Sequence, residues 1–331
     1  MRKILVTGGA GFIGSNFIRY MLGKYNYEII NLDALTYAGN PDNLRDLRSK
    51  PCYHFIRGRI EDINTAREAM KSINAIIHFA AESHVDRSIL YAKPFILTNV
   101  LGTQTLLDAA KEVKANRFIY ISTDEVYGEL GINGKFTEDI PLKPNSPYAA
   151  SKASADLLVR AYYRTYKLPV IIVRPSNNYG PYQYPEKFIP LMITNLLEDK
   201  PVPIYGKGEN IRDWLFVKDC CRAIDVILHK GRVGEVYNVG GESEYKNIDI
   251  AKKVIKFLGK SEDYIEYVPD RPGHDFRYAL DISKIKEQLQ WRPSLSFAEG
   301  IKATIKWYEE NNWWWQPLKH KLKKESEGFW T

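Results

Sequence analysis

The chain has 331 residues, 44% of them hydrophobic and 26% charged, with a formal net charge of +7. That balance describes a globular protein large enough for one broad core or two unequal lobes. No apolar run approaches the roughly 18 residues that a bilayer-spanning helix needs, which excludes a membrane partner of that kind.

Met1 to Val6 carries neither a long apolar segment nor a small-residue cleavage site, so it reads as a first strand and not as a secretory signal. The three cysteines, Cys52, Cys220 and Cys221, are odd in number, include an adjacent pair and form no Cys-x-x-Cys. They argue against a disulfide framework or a zinc site and for a cytoplasmic, reducing location.

Short apolar runs at 4–6, 28–32, 75–79, 117–121 and 170–173 alternate with amphipathic stretches such as 99–111 and 148–166. Strand–helix alternation of this kind predicts an α/β fold, a Rossmann-type doubly wound parallel sheet with helices on both faces. After Pro175 turn residues multiply and helices are separated by short strands such as 235–239. The expected division is therefore an NAD-binding domain over 1–174 and a smaller C-terminal lobe over 175–331 that binds substrate. Trp313, Trp314 and Trp315 are expected to end a helix that begins near Ser296 and to pack on the body. The one dense basic run, Lys319, Lys321, Lys323 and Lys324, is followed at once by Glu325 and Glu327. It reads as a solvated tail and not as a nucleic-acid arm.

Thr7-Gly8-Gly9-Ala10-Gly11-Phe12-Ile13-Gly14 follows the first strand directly and opens a helix. Gly8, Gly11 and Gly14 allow a tight turn and close approach to a pyrophosphate, while the helix start offers unpaired amides and a partial positive charge. Asp33 ends the second strand, nineteen residues after Gly14, where a carboxylate can take the adenosine ribose hydroxyls. No arginine follows it closely, so NAD is expected over NADP. Asp62 could reach the adenine amine or cap a helix.

Tyr148-Ala149-Ala150-Ser151-Lys152 sets a phenol and an ammonium on one helix face. Tyr20/Lys24 and Tyr163/Lys167 repeat the spacing, but only Tyr148 opens a helix after the strand that ends in Ser122-Thr123-Asp124-Glu125. The Lys152 ammonium and a positive nicotinamide ring both favour phenolate and make Tyr148 a base. Thr123 can hold a substrate oxygen. Asp124 and Glu125 exceed what a plain oxidoreductase needs and suit an acid and a base acting on neighbouring carbons.

With those residues in view, the sequence resembles the dTDP-glucose 4,6-dehydratases of the extended short-chain dehydrogenase/reductase family nearly end to end. The resemblance is carried by Asp33-Ala34-Leu35-Thr36-Tyr37-Ala38-Gly39-Asn40, Ala80-Ala81-Glu82-Ser83-His84-Val85-Asp86-Arg87-Ser88, Ser122 to Gly128, and Ser176-Asn177-Asn178-Tyr179-Gly180-Pro181. Further matches are Pro185 to Pro190, Asn210 to Trp214, and Asp270-Arg271-Pro272-Gly273-His274-Asp275.

The resemblance implies a lyase that oxidises carbon 4 of a nucleotide sugar through Tyr148. Glu125 then takes the carbon 5 proton, Asp124 protonates the departing 6-hydroxyl, and carbon 6 is reduced. It extends the NAD site to Phe12, Ile13, Ala34, Thr36, Ile63, Phe79, Ala80, Ala81, Thr98 and Asn178. It puts Ser83 and Asn177 on the sugar. Lys187, Phe188, Pro203, Ile204, Tyr205, Arg212, Asn247 and the stretch Asp270, Arg271, Pro272, Gly273, His274 fall on the nucleotide diphosphate. An arginine fork and a lysine suit that group.

The helices near 99–111 and 148–166 resemble those that form a four-helix bundle in homodimers of the family. Arg174-Pro175 stands where smaller polar residues are the family's common pattern, outside the residues with assigned roles. His84 and His274 have no third ligand at a sensible spacing, so no metal is expected. An epimerase, or a decarboxylase acting on UDP-glucuronate, shares the glycine loop and Tyr148/Lys152 but has less need of Asp124 and Glu125. A non-catalytic NAD-binding protein is a third reading.

Overall fold

A computed structural model describes residues 2–326, with side chains through Leu322. Its strands are β1 (Arg2–Thr7), β2 (Tyr27–Asp33), β3 (Tyr53–Arg57), β4 (Ala75–His78), β5 (Phe118–Ile121) and β6 (Val170–Pro175). They continue with β7 (Asn177–Tyr179), β8 (Val202–Tyr205), β9 (Ile211–Phe216), β10 (Val236–Val239), β11 (Glu244–Lys246) and β12 (Ile265–Val268).

Seven of these form one parallel sheet in the order β10-β6-β5-β4-β1-β2-β3. Its central strands β4 and β5 are buried along their whole length. That is why they read as continuous apolar runs and not as alternating ones. One face is covered by Phe17, Ile18 and Met21 of the helix Phe12–Lys24 and by Ile224 and Ile227 of the helix Val217–Lys230. The other face is covered by Leu106 and Leu107 of Thr103–Glu112 and by Ala155 and Val159 of Pro147–Tyr166. Each of the larger side chains among these contributes about 1.5–3 kcal/mol by leaving water. The chain reverses its winding between β1 and β4, and the crevice beyond the carboxyl ends of those strands is where such a sheet binds ligands.

The five strands expected in the first half are all present, with ends moved by at most two residues. The run expected as a helix over 99–111 belongs to a longer helical stretch. It starts at Lys93–Phe95, passes through a π-helical segment Ile96–Gly102 and continues to Glu112.

Three expectations are corrected. The strand near 235–239, assigned to the smaller lobe, is β10 and pairs with β6 on the main sheet, Val236 opposite Ile172. The chain thus crosses the boundary expected at 174/175 and returns. The helix Val217–Lys230, β10, and Tyr278, Leu280, Ile285 and Trp291 all pack in the core beneath the main sheet. A four-residue apolar strand reads alike whichever edge it covers, so only the pairing distinguishes them.

The helix beginning at Ser296 stops at Glu310, and the three tryptophans open the next helix, Asn312–Ser326. Trp314 and Trp315 are buried, and Trp313 is exposed. Finally, Lys319 pairs with Glu198 at 2.9 Å and is mostly covered, so the basic run does not begin as a solvated tail. The side chains of Lys323, Lys324 and Glu325, and all of Glu327, lie outside the described residues.

The smaller lobe holds the sheet β11-β9-β7 and the pair β12-β8 around a core of Ile193, Trp214, Phe216, Ile250, Ile301, Tyr308 and Trp315. Among the described residues no helix is long and apolar enough to cross a membrane.

Candidate active site

Gly8 adopts φ +70°, and a Cβ there would stand 2.5 Å from the Ala80 nitrogen; one on Gly14 would stand 2.4 Å from the Gly8 oxygen. The glycines therefore let three backbone segments meet where no side chain fits. The helix that follows has Gly11 at its N-cap, no capping side chain and no acid in its first turn. Its leading amides are left for an anion.

They face a cleft lined by Gly8, Gly11, Phe12, Ile13 and Gly14, by Asp33, Ala34 and Thr36, by Phe79, Ala80 and Ala81, and by Thr98, Tyr148 and Lys152. The Asp33 carboxylate accepts from the Ala10 N–H at 2.9 Å and the Leu35 N–H at 2.8 Å. Burial raises its pKa and the two N–H groups oppose the rise. Amide donors at one end and a buried carboxylate at the other fit a dinucleotide with unphosphorylated ribose.

The lining does not reach Asp62, Ile63 or Asn178. Asp62 caps the helix Ile63–Ala69, accepting from the Asn64 N–H and the Thr65 hydroxyl, and Ile63 packs on the core. Asn178 lies in β7 and donates to the Ser176 carbonyl.

Several lining residues escaped the sequence reading. Asn43, Tyr182, Gln183, Tyr184 and Trp314 arrive from distant segments, and Glu61 takes the position beside Asp62, accepting from the Thr98 hydroxyl at 2.8 Å. Arg59, 3.9 Å from Glu61, also lines the cleft. The absence of an arginine close after Asp33 in sequence did not exclude one in space.

At the other end, Thr123 caps a 3₁₀ turn, Asp124–Tyr127, by accepting from the Glu125 N–H at 3.3 Å. This turn carries both carboxyls directly off β5. Asp124 is nearly inaccessible; burial, Glu125 and Asp213 push its pKa well above the usual carboxylate range. Its Oδ2 has no hydrogen-bond partner among the described residues. Glu125 is also raised by burial, but Arg271, Arg212 and Lys187 hold it back. Burial raises both carboxyls, and the cations around Glu125 leave it the readier of the two to ionise and act as a base.

Tyr148 opens the helix Pro147–Tyr166 behind its Ser146 cap. Burial pushes its phenol well above 10, Glu125 and Asp124 add to the rise, and the Thr123 hydroxyl opposes it. Lys152 is lowered to about 7 by burial, against the pull of Asp156. Its Nζ donates to the Ile121 carbonyl at 2.7 Å and sits 4.4 Å over the Tyr120 ring. Lys152 is expected to act on Tyr148 together with a positive nicotinamide ring; in the protein by itself burial and two carboxyls outweigh the ammonium.

Ser83 and Lys187 line the far end of the same cleft, and the Lys187 Nζ donates to the Ser83 carbonyl at 2.9 Å. Arg271 pairs with Asp86 at 2.9 Å, and the Tyr205 hydroxyl reaches the same carboxylate at 3.3 Å. Its Nε, with Asn177 Oδ1 and Asn247 Oδ1, is buried without a hydrogen-bond partner among the described residues. Each of these groups is free to hydrogen-bond with a ligand or water.

Arg212, expected as a diphosphate fork, instead donates to the carbonyls of Ile211, Asp275 and Phe276. It braces the segment that carries His274, whose Nδ1 lies 2.6 Å from Asp270. Phe188 stacks on Trp214. Pro203 stays partly exposed on β8, Ile204 is turned into the lobe core, and Gly273 makes the Pro272–Gly273 turn at φ +65°. Arg174, read as having no part in the site, donates twice to Asp156, at 2.9 and 3.0 Å, and once to the Tyr127 hydroxyl. It ties the Tyr148 helix to the turn that bears Asp124 and Glu125.

The family model described as GDP-mannose 4,6 dehydratase matches residues 5–304. The chain is 50% identical to a dTDP-glucose 4,6-dehydratase of Streptomyces niveus over 322 residues, 96% of each chain. It is 52% identical over 305 residues to the low-salt glycan biosynthesis protein Agl12 of Haloferax volcanii, covering 92% of this chain and 98% of that one. A crystal structure of dTDP-glucose 4,6-dehydratase from Bacillus anthracis in complex with NAD superposes with a TM-score of 0.91 at 53% identity, over 96% of this chain and all of the other. The chain belongs to the GDP-mannose 4,6 dehydratase family and, within it, to the dTDP-glucose 4,6-dehydratases.

Proposed function

We propose that this chain dehydrates dTDP-glucose to dTDP-4-keto-6-deoxyglucose. The observation that carries this is the split pair at the end of β5: Asp124 is held toward its neutral form beside a Glu125 that three cations keep ionisable, and both face Tyr148. An epimerase has no need of such a pair. Gly8, Gly11 and Gly14 and the helix start hold the pyrophosphate of NAD, and Asp33 holds its adenosine ribose. NAD bound there supplies the acceptor for hydride at carbon 4, the donor at carbon 6, and a positive ring beside Tyr148.

Tyr148 takes the proton of the 4-hydroxyl while Thr123 holds that oxygen. The resulting ketone acidifies carbon 5, whose proton Glu125 removes as Asp124 protonates the 6-hydroxyl and releases water. Ser83 and Asn177 hold the sugar, and Lys187 and Arg271 neutralise the diphosphate between Phe188, Tyr205, Asn247 and the Asp270–His274 turn. Arg212 acts from behind, through its brace and its charge.

The same reading makes the enzyme a cytoplasmic homodimer. Cys52, Cys220 and Cys221 are all free thiols. Leu90 and Tyr91 are exposed at the end of the helix Val85–Leu90, Ile96, Leu97 and Leu101 on the helical stretch that starts at Lys93, and Leu157 and Tyr166 on the Tyr148 helix. An apolar surface of this extent suits pairing of those helices across a two-fold axis as a four-helix bundle. Light scattering on the purified chain tests the dimer.

The activity is tested with dTDP-glucose deuterated at carbon 4. The product is expected to be lighter by one water and to carry the deuterium at carbon 6. Deuterium retained at carbon 4, or a product with no mass change, overturns the reading.

A further inference from the structure

The last helix, Asn312–Ser326, follows the segment matched by the family model, yet it reaches the cofactor cleft. Trp314 is buried and lines that cleft. Its ring lies edge-on to Tyr182, another lining residue, at 5.7 Å, and against Trp307 at 5.1 Å. Its Nε1–H donates to Asn43 Oδ1 at 2.8 Å. Asn43, itself buried, donates from Nδ2 to the Ala10 carbonyl at 2.8 Å, and the Ala10 N–H donates to Asp33 Oδ2 at 2.9 Å. An indole nitrogen is only a donor and a carbonyl only an acceptor, so the Asn43 amide has one orientation that satisfies both. Three hydrogen bonds thus run from the C-terminal helix through the glycine loop to the carboxylate at the ribose position.

We propose that Trp314 is a positioning residue for NAD, which it retains through Asn43 by fixing the glycine loop and the Asp33 carboxylate. The inference rests on the NAD reading of the cleft. A cycle that ends with its cofactor as it began never requires release, so a clamp from a remote helix costs nothing in turnover. The same bonds join the smaller lobe to the glycine loop, because the tryptophan hairpin is rooted in that lobe: Trp315 Nε1 donates to the Tyr308 carbonyl at 2.8 Å and Tyr308 donates to the Gln183 carbonyl.

The test measures NAD affinity by calorimetry on protein stripped of nucleotide, and NAD release by exchange against a fluorescent analogue. Trp314→Phe keeps a ring but removes the donor, leaving Asn43 Oδ1 buried and unpaired. It is expected to weaken NAD about tenfold and to speed its release in proportion. Asn43→Ala is expected to do at least as much. The double variant should be no weaker than Asn43→Ala alone, since the tryptophan acts through the asparagine.

Trp315→Phe is the control. It removes an equally buried indole donor from the same hairpin but not from the relay, and should lower thermal stability with NAD affinity intact. If Trp314→Phe does not fold, Asn43→Ala and Asn43→Asp carry the test, the aspartate losing the donor to Ala10. Unchanged affinity in the Trp314 or Asn43 variants, an equal loss in Trp315→Phe, or additive losses in the double variant overturns the inference alone. A wild-type chain that takes up no NAD overturns the cofactor reading as well.

Discussion

Replacing Asp124 by asparagine removes the transferable proton from the site and almost nothing else. The side chains have nearly the same volume, and an amide oxygen at Oδ1 can still accept from the Thr123 hydroxyl, now at 3.3 Å. What disappears is the acid, which burial and the neighbouring Glu125 hold protonated far above the usual carboxylate range. General acid catalysis is typically worth about 10²–10⁴-fold, or roughly 3–5 kcal/mol of barrier. The loss should fall on elimination and not on oxidation, because Tyr148, Thr123 and Lys152 remain.

The effect on stability has the opposite sign. A carboxyl with a raised folded pKa is penalised once the unfolded chain would ionise, so Asp124→Asn should gain stability over the wild type as pH rises above about 4. The assay is rapid mixing of NAD-loaded enzyme with dTDP-glucose, following reduced cofactor by its near-ultraviolet absorbance and product by mass. Reduced cofactor is expected to accumulate while dehydrated product forms about 10²–10⁴-fold more slowly. Product formation within fivefold of wild type, or oxidation and elimination lost in equal measure, would refute the assignment of Asp124 as the acid of the second step.

Glu125→Gln should likewise permit oxidation and block elimination, but with no exchange of the carbon 5 hydrogen into heavy water; exchange at the wild-type rate contradicts its role as base. Tyr148→Phe should slow the first step about 10²–10⁴-fold with little change in substrate affinity, and a near-normal turnover number would point to another group. Lys152→Met should abolish activity yet stabilise nucleotide-free protein. With the folded pKa lowered to about 7 from an ordinary value near 10.5, the ammonium's penalty is full below pH 7 and vanishes above about 10.5; calorimetry showing the larger gain at pH 10 than at pH 6 would reverse this reasoning. Arg174→Met leaves Asp156 as a buried unpaired carboxylate and should cost about 3–5 kcal/mol, with partial recovery on adding Asp156→Asn; a fall in melting temperature of less than about 2 °C would show the pair to be dispensable.

Local spacing carried much of this protein. The glycine loop, Asp33, the run Thr123-Asp124-Glu125 and the Tyr148/Lys152 pair each combine a residue type with a fixed offset from a strand or helix end. Strand–helix alternation sets where those ends meet, because a parallel sheet with right-handed crossovers collects its loops at one edge. That is why residues set far apart in the chain could be expected at one cleft before any contact was known.

Folding at a distance decided the rest. β10 reads as a strand wherever it pairs, and only the open edge of β6 draws it into the main sheet. Arg212 has the residue type of an anion fork but satisfies the carbonyls of Ile211, Asp275 and Phe276, and Arg174 looks incidental until Asp156 is found beneath it. Burial sets the direction of the pKa shifts of Asp33, Asp124, Glu125, Tyr148 and Lys152, and burial is a property of the packed chain. Trp314 and Asn43 stand 271 positions apart. No periodicity spans such a gap, so their meeting at the glycine loop is written only in the tertiary structure.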